Sequence, residues 1–206
     1  MIVHAYYGLM AQCLIVTAVA RLARALWWPK TPSFATLEVV IVSALLLLAS
    51  VDGISLAEHL RGLWGDPSVT TVGILFAFVL WPRSLPKRPT RRGALVVATV
   101  GSALLYLPAL SGLTLFGMDP YSLGYSPWAI ITALLLASVA LWRIVDLVWI
   151  RLISYAMLAY GLRLLESDNL WDYLVDPGLV IGVVVVAFVT PASQGTARAE
   201  PTMASH

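Results

Sequence analysis

The sequence predicts an all-α protein, a polytopic transmembrane helical bundle of about seven spans joined by short loops. Of its 206 residues, 60% are hydrophobic and only 12% are charged, whereas soluble domains carry about 25% charged residues. The apolar residues come in blocks, and a helix needs about 20 of them to cross a bilayer. The chain therefore has room for six or seven spans and for no separate soluble domain.

The first half of the chain holds three predicted spans. The first covers about 2–20 and is followed by Arg21 and Arg24, and the second covers about 34–51. The third, about 69–81, is short. The mixed segment before it favours a short amphipathic helix at the membrane interface, because apolar residues recur there at helical spacing. Those residues are Ile54, Leu56, Leu60, Leu63 and Trp64.

A basic stretch separates the third span from the fourth, which covers about 93–110. The next segment, 111–127, is rich in Gly, Pro and Tyr and is typical of a loop filled with turns. The fifth span begins at about Trp128 and the sixth ends at about Leu165, with the boundary between them near 142–146. That boundary contains neither Gly nor Pro, so it is weakly marked.

An acidic segment follows, and the seventh span begins at Pro177 and ends at about Thr190. The remaining residues are small and polar, a composition typical of disorder. The sequence therefore predicts a transmembrane helical domain at 1–190 and a disordered tail at 191–206.

Charge gives the predicted bundle an orientation. With the N-terminus outside and seven alternating spans, eleven Lys and Arg residues lie inside and two, Arg61 and Arg163, lie outside. The excess of Lys and Arg on the cytoplasmic side is what sets membrane topology. We therefore expect a multi-pass protein of a cell inner membrane with a cytoplasmic C-terminus. A six-span alternative merges the fifth and sixth spans and moves the tail outside.

Composition also excludes several classes of partner and cofactor. The basic residues flank spans and form no patch suited to nucleic acid. The single cysteine, Cys13, rules out an intramolecular disulfide. Outside the tail the histidines are His4 and His59, which do not lie on facing spans, so we expect no haem, no metal and no other cofactor. The expected partners are the lipid bilayer and, in addition, other membrane proteins or further copies of this chain.

Acidic residues gather on the predicted outer side and form the first candidate site. Three of them are spaced by four, which would align them on one face of a helix. Carboxylates so placed can bind a divalent cation or act as an acid/base pair, although a solvated rim of the membrane protein needs neither role. The members of this predicted acidic rim are Asp66, Asp119, Glu166, Asp168, Asp172 and Asp176.

Asp-Pro occurs three times, at Asp66, Asp119 and Asp176, each before a span predicted to run inward. Asp is a good helix N-cap and Pro suits the first helical position. Helix capping is therefore the preferred interpretation of these pairs, with duplication of a helical hairpin as the alternative.

Two charged residues within spans are further candidates, because intramembrane charges are often functional. Glu38 lies one turn into the second span, where it can also favour the positive end of the helix. Arg151 could face the interior of the bundle. Gly178 and Gly182 have the small-xxx-small spacing that lets helices approach closely, which indicates packing or self-association.

No catalytic or phosphate-binding motif is present in the sequence. The favoured interpretation is a non-catalytic membrane component: a scaffold, an accessory subunit or an assembly partner in an envelope system. A small transporter or channel is one alternative, although polar groups are sparse within the spans. The other is a membrane enzyme that uses the outward-facing acidic rim.

Overall fold

The computed structural model describes residues 2–27, 36–80, 88–112, 114, 117, 119–142 and 147–181. Within these ranges the chain is predominantly α-helical, as the sequence predicts. The predicted tail at 191–206, the end of the seventh span and Gly182 lie outside the described residues. One described helix, His4–Arg24 with 21 residues, is long and apolar enough to cross a membrane, and five more apolar helices are shorter.

The long helices follow the predicted apolar blocks. They are α1 (Ile2–Trp27), α2 (Thr36–Leu48), α4 (Val69–Leu80), α5 (Arg88–Ser111), α6 (Trp128–Leu141) and α7 (Leu147–Gly161). Two short helices complete the set, α3 (Leu56–Trp64) and α8 (Trp171–Leu174). A 3-10 turn at Ser122–Tyr125 lies in the loop before α6, and the last described helical segment covers 177–181.

A small hairpin departs from the all-α prediction. Strands β1 (Ser50–Val51) and β2 (Ile54–Ser55) pair antiparallel, with Val51 opposite Ile54. The two residues between them, Asp52 and Gly53, both have positive φ, at 54° and 80°. Asp-Gly favours this tight hairpin turn, because Gly adopts positive φ without a steric penalty.

The short helix that the sequence predicts in this segment is present as α3, and local hydrogen bonds define its start. Ser55 is the N-cap, and its hydroxyl accepts a hydrogen bond from the Glu58 N–H at 3.2 Å. In return the Glu58 carboxylate accepts one from the Ser55 N–H at 2.8 Å. This reciprocal capping box satisfies two of the amides that a helix start leaves without partners. The predicted apolar face is only partly buried, because Leu63 is 74% exposed.

The core lies where α1, α4 and α7 meet the segment 165–179. On α1 the buried residues recur at helical spacing and form one face: Tyr7, Ala11, Leu14 and Ala18. Gly73 of α4 is a point of close approach, because a Cβ there would collide with Leu152 of α7. Interior packing of this density tolerates little added volume.

Several loops and helix ends meet at one end of the molecule. We call this region the polar end (residues 49–68, 119–127 and 162–177). The His4 ring, near the start of α1, lies 3.2 Å from the Leu164 carbonyl. Close to the end of α5, the Tyr106 hydroxyl donates to the Val175 carbonyl at 2.8 Å. At the other end of α1, Arg21 donates to the Val79 carbonyl at 2.6 Å, so α1 and α4 run in the same direction.

A contact at the polar end shows that α6 and α7 are two helices. The loop before α6 contacts the segment that follows α7, because the Leu170 N–H donates to the Gly124 carbonyl at 3.0 Å. Each helix is about 21 Å long at 1.5 Å per residue. The start of α6 and the end of α7 therefore lie at the same end of the molecule, and the two helices run in opposite directions.

Candidate functional site

The acidic segment at 166–176 is not the regular helix that the spacing of its carboxylates predicts. Its helical part is only α8, four residues from Trp171 to Leu174. Asp168 and Asp176 therefore lie outside the helix, and the expectation that both share a face with Asp172 is wrong. Asp172 and Asp176 do line one cavity, whereas Asp168 is exposed and lies outside it.

Asp176 joins the starts of two helices. Its Oδ1 accepts a hydrogen bond from the Leu179 N–H at 2.7 Å, which caps the segment 177–181 as the Asp-Pro pair predicts. Its Oδ2 accepts another from the Ser68 N–H at 2.7 Å, and the Thr71 hydroxyl donates to Oδ1 at 2.5 Å. The carboxylate is thus held by donors from the first turns of both α4 and the last described helix.

The first Asp-Pro pair does not cap α4. Ser68 has that role, because its hydroxyl accepts a hydrogen bond from the Thr71 N–H at 3.2 Å. Asp66 instead forms an ion pair with Arg61, accepting from Nε and Nη2 at 2.7 Å each. This two-bond geometry is the strong arrangement for a guanidinium and a carboxylate.

Arg61 also lies 3.2 Å from Glu166, so one guanidinium connects two members of the predicted acidic rim. Asp66 is nearly buried, with a side chain 7% exposed, whereas the Glu166 side chain is 71% exposed. The hydrogen bonds to Asp66 raise the pKa of Arg61 above its ordinary value. The guanidinium therefore remains charged at any ordinary pH.

Asp172 is surrounded by hydroxyl groups. Ser167 donates to its Oδ2 at 2.5 Å, and Tyr121 lies within 2.9 Å of the same oxygen. Tyr106 lies 3.1 Å from Oδ1. Burial, and then the charge of Asp172, raise the pKa of the Tyr121 phenol, so the phenol keeps its proton and serves as a donor. Within the described ranges no cationic side chain pairs with Asp172.

A buried amide fastens this site to the loop before α6. Asn169 is fully buried, and its Nδ2 donates to the Tyr121 carbonyl at 2.9 Å. The indole N–H of Trp171 donates to the Pro120 carbonyl at 3.1 Å. Gly124 packs so close to Asn169 that an added Cβ would collide with its side chain. Asn169 and Trp171 therefore hold two loops together and are not free to bind a ligand.

Asp119 lies in the same loop but has a local role. Its carboxylate accepts a hydrogen bond from the Tyr121 N–H at 3.0 Å, and its carbonyl accepts one from the Ser122 hydroxyl at 2.7 Å. Asp119 thus starts the 3-10 turn and does not line the cavity. The three Asp-Pro pairs have three different roles: an ion pair, a turn and a shared helix cap.

The cavity beside these carboxylates has a volume of about 790 Å³. Its polar end is lined by Arg61, Asp66, Tyr106, Glu166, Ser167, Asp172 and Asp176. The rest of its wall is mainly apolar and includes Ile15, Ala18, Val19, Leu22, Leu75 and Ile181. Concave sites with an apolar wall and a few convergent polar groups are the usual form of a small-molecule site.

The cavity is elongated along α1. Its polar end lies beside Gly8, where Arg61 and Asp66 are the nearest side chains, and its wall extends to Leu22. The α1 residues that line the cavity, from Ile15 to Leu22, span about 10 Å at 1.5 Å per residue. Two lining residues, Val19 and Ile181, are 59% and 65% exposed, so the cavity opens sideways between α1 and the segment 177–181.

The other predicted site residues lie elsewhere. Glu38 is exposed in the first turn of α2. Arg151 is exposed as well, so the expectation that it faces the interior is wrong; the buried face of α7 is formed by Leu152, Ala156 and Ala159. A Cβ at Gly178 would lie 3.2 Å from the Asp176 carboxylate and 3.4 Å from a methyl group of Thr71.

Sequence reasoning missed the hydroxyl donors of the site, Tyr106, Tyr121, Ser68 and Thr71. A Ser directly after Asp66-Pro67 is a possible cap signal, but nothing local pairs Tyr106 with Asp172.

In the part of the chain that is described, no three His, Cys, Asp or Glu side chains are grouped to hold a metal ion. No protein-family model, curated protein or solved structure matches this chain.

Proposed function

We propose that this chain is a multi-pass protein of a cell inner membrane, a non-catalytic component of an envelope system that holds an amphiphilic molecule in its outward-facing cavity. The observation that carries this proposal is the cavity itself. Its long apolar wall ends at a cluster of carboxylates and hydroxyls at the polar end. A molecule with an aliphatic chain and a polar head matches that division.

The surface supports a membrane location. Apolar side chains are exposed along whole helix faces, which water-soluble monomers rarely tolerate. On α5 and α6 they include Val96, Val97, Leu104, Leu107, Leu135, Leu136 and Val139. In a bilayer, the hydrocarbon tails of lipids would cover these faces, so that their apolar surface would not be exposed to water. The short apolar helices would then be spans beside α1, although several contain fewer than the roughly 20 residues needed to cross a bilayer.

Seven spans with an outer N-terminus agree best with the directions of the helices. The segments that the charge pattern assigns to the outside are those that meet at the polar end, and the opposite directions of α6 and α7 support counting them as two spans. Reporter fusions test this arrangement. Fusions after Arg92 and at His206 should report the cytoplasm, and a fusion at Asp119 should report the outside. An external His206 fusion with an internal Arg92 fusion would support six spans instead.

The proposed ligand site is tested by photolabelling the purified protein in lipid nanodiscs with long-chain alcohols that carry a diazirine on the chain. Peptides that contain Ile15, Val19, Leu22 and Leu75 should be labelled more strongly than the exposed face of α6, because the cavity retains the probe. The α6 peptide at 135–139 corrects for partition of the probe into the bilayer. Labelling of the cavity peptides no stronger than that of α6 would contradict the proposal.

A second candidate function, a membrane enzyme, is favoured by one observation: Asp172 and two tyrosine hydroxyls lie together beside the cavity. A carboxylate with phenol donors could move protons. Asp172→Asn separates the two candidates. A non-catalytic component should keep part of its function in complementation, because its apolar wall is intact, whereas an enzyme that depends on this carboxylate should lose all of it at unchanged protein level.

A further inference from the structure

The charge at the polar end of the cavity specifies the head group of the amphiphile. Among the described residues, four carboxylates and one guanidinium line the cavity, which gives a charge of −3 when all of them are ionised. Arg61 is already engaged by Asp66 and Glu166. The structure thus leaves Asp172 and Asp176 without a cationic partner among the described residues.

Resting on the proposed ligand-binding function, we infer that the cavity selects a single-chain amphiphile with a protonated amine head group. An ammonium group has three donors and no acceptor, whereas an ionised carboxylate only accepts. The oxygens of Asp172 accept hydrogen bonds from neutral hydroxyls alone. A cation placed beside them would gain attraction that these hydroxyls do not supply, and the apolar surroundings strengthen that attraction.

Anionic head groups are disfavoured by the same geometry. In the described part of the chain, Arg61 is the one guanidinium or ammonium group that lines the cavity. Both of its oxygen contacts at Asp66 are 2.7 Å, so a phosphate or carboxylate would have to compete with a two-bond ion pair. It would also meet repulsion from Asp172 and Asp176. Repulsion between a protein's charges and a ligand of the same sign is a common source of selectivity between ligands.

The shape of the cavity favours one chain. The apolar wall runs along α1 from Ile15 to Leu22, about 10 Å at 1.5 Å per residue, between α1, α4 and the segment 177–181. The sideways opening at Val19 and Ile181 lets an aliphatic chain enter from the hydrocarbon region. The head group would then come to lie near Asp172 and Asp176, at the end of the molecule that we propose faces outward.

The test compares three probes with the same diazirine-bearing hexadecyl chain: an amine, an alcohol and a phosphate. The wild-type protein is placed in nanodiscs of uncharged phosphatidylcholine at neutral pH. Labelling of the cavity peptides is divided by labelling of the α6 peptide at 135–139, which removes differences in bilayer partition. We expect this ratio to be at least fivefold higher for the amine than for the alcohol, and lowest for the phosphate.

Two variants locate the selectivity. Asp172→Asn should reduce the amine ratio severalfold and leave the alcohol ratio unchanged, because the substitution removes the charge and keeps the volume. Asp168→Asn is the matched control: it removes a charge four residues away, outside the cavity, and should change neither ratio.

The outcomes separate the two proposals. Equal ratios for amine and alcohol, or a higher ratio for the phosphate, would overturn the head-group inference while the cavity remains a ligand site. Absence of labelling above α6 with all three probes would overturn both. Because the probe comparison uses the wild-type chain, it stands even if a variant folds poorly.

Discussion

The carboxylate of Asp176 accepts a hydrogen bond from the backbone N–H of Ser68 at 2.7 Å, across 108 residues of sequence. The same side chain caps its own helix through Leu179. One acidic residue therefore satisfies helix-start amides on two separate helices. Such amides have no partner within their own helix, so this contact contributes to how the two helices are held side by side.

Replacing Asp176 by Asn should destabilise the protein, because both carboxylate oxygens accept and Asn has only one acceptor. If the Asn oxygen takes the place of Oδ1 and still accepts from the Leu179 N–H, the Asn NH2 group takes the place of Oδ2. Two donors, the NH2 group and the Ser68 N–H, would then face each other. We expect a loss of about 1–3 kcal/mol, the usual cost of leaving a buried polar group unsatisfied. Thermal unfolding in detergent measures it. Asp119→Asn is the control, because the amide oxygen can still accept from Tyr121; an equal loss in both variants would contradict the shared-cap interpretation.

Asp172 and Asp168 should respond differently to neutralisation. Asp168→Asn should shift stability by no more than about 0.5 kcal/mol, as exposed substitutions usually do. Asp172→Asn should cost about 1 kcal/mol, because three hydroxyls lose a charged acceptor. Thermal unfolding and complementation at matched protein level test both variants. Loss of complementation by Asp168→Asn alone would show that the exposed rim has a function of its own.

Arg61 and Asp66 should prove energetically coupled in a double-mutant cycle. Arg61→Gln leaves the nearly buried Asp66 without its cation, Asp66→Asn removes the charge, and the double variant removes both. We expect a coupling free energy of about 1–3 kcal/mol, within the range for residues that share an ion pair. Glu166→Gln, at an exposed contact of the same guanidinium, should couple to Arg61 by less than about 1 kcal/mol. Equal coupling at both carboxylates would show that burial of Asp66 contributes nothing.

Gly124 should not tolerate a side chain. Gly124→Ala places a methyl group against Asn169 and should cost about 1–3 kcal/mol, as overpacking of a filled interior does. Gly101→Ala is the matched control, because a Cβ at this α5 position meets nothing within 4 Å and Ala favours helix over Gly. Thermal unfolding should move in opposite directions in the two variants. A stable Gly124→Ala protein would mean that the two loops separate readily.

The capping box of α3 should weaken in acid. Hydrogen bonds from the Ser55 hydroxyl and backbone lower the pKa of Glu58. A lowered folded-state pKa gives stability that is present above the unfolded value, about 4.3 for Glu, and is lost as the pH falls through the folded value. Amide hydrogen exchange across 56–64 should therefore accelerate in acid beyond the intrinsic pH effect. Glu58→Gln keeps an acceptor but cannot titrate, so its exchange should lack this extra dependence.

The sequence predicted the helical blocks well because their signals are local. Apolar runs and Pro at helix starts act over a few residues, and α4 and α6 begin at the predicted positions, Val69 and Trp128. The hairpin at Asp52-Gly53 was missed although its turn signal is local, because two-residue strands leave almost no alternating pattern. The four-residue spacing of Asp168, Asp172 and Asp176 wrongly predicted one regular helix, because loop contacts through Asn169 override helix propensity there.

The site itself depends on pairings that no local pattern encodes. Tyr106 and Asp172 are 66 residues apart, and Arg61 and Glu166 are 105 apart. Sequence reasoning could name the carboxylates as a cluster by their charge, but the donors facing them lie on other helices. Arg151 was misplaced for a related reason, since its position on α7 depends on which face packs against α4.

The shared cap has a consequence for the order in which the protein is assembled. Ser68 leaves the ribosome 108 residues before Asp176, which at a synthesis rate of 5–20 residues per second is a delay of about 5–20 s. During that interval the first turn of α4 lacks the carboxylate that later accepts from its amide. The contact between Asp176 and the Ser68 N–H therefore forms only after the last helix has been synthesised. In a nascent chain truncated before residue 176, the amides in the first turn of α4 should exchange hydrogen unusually fast.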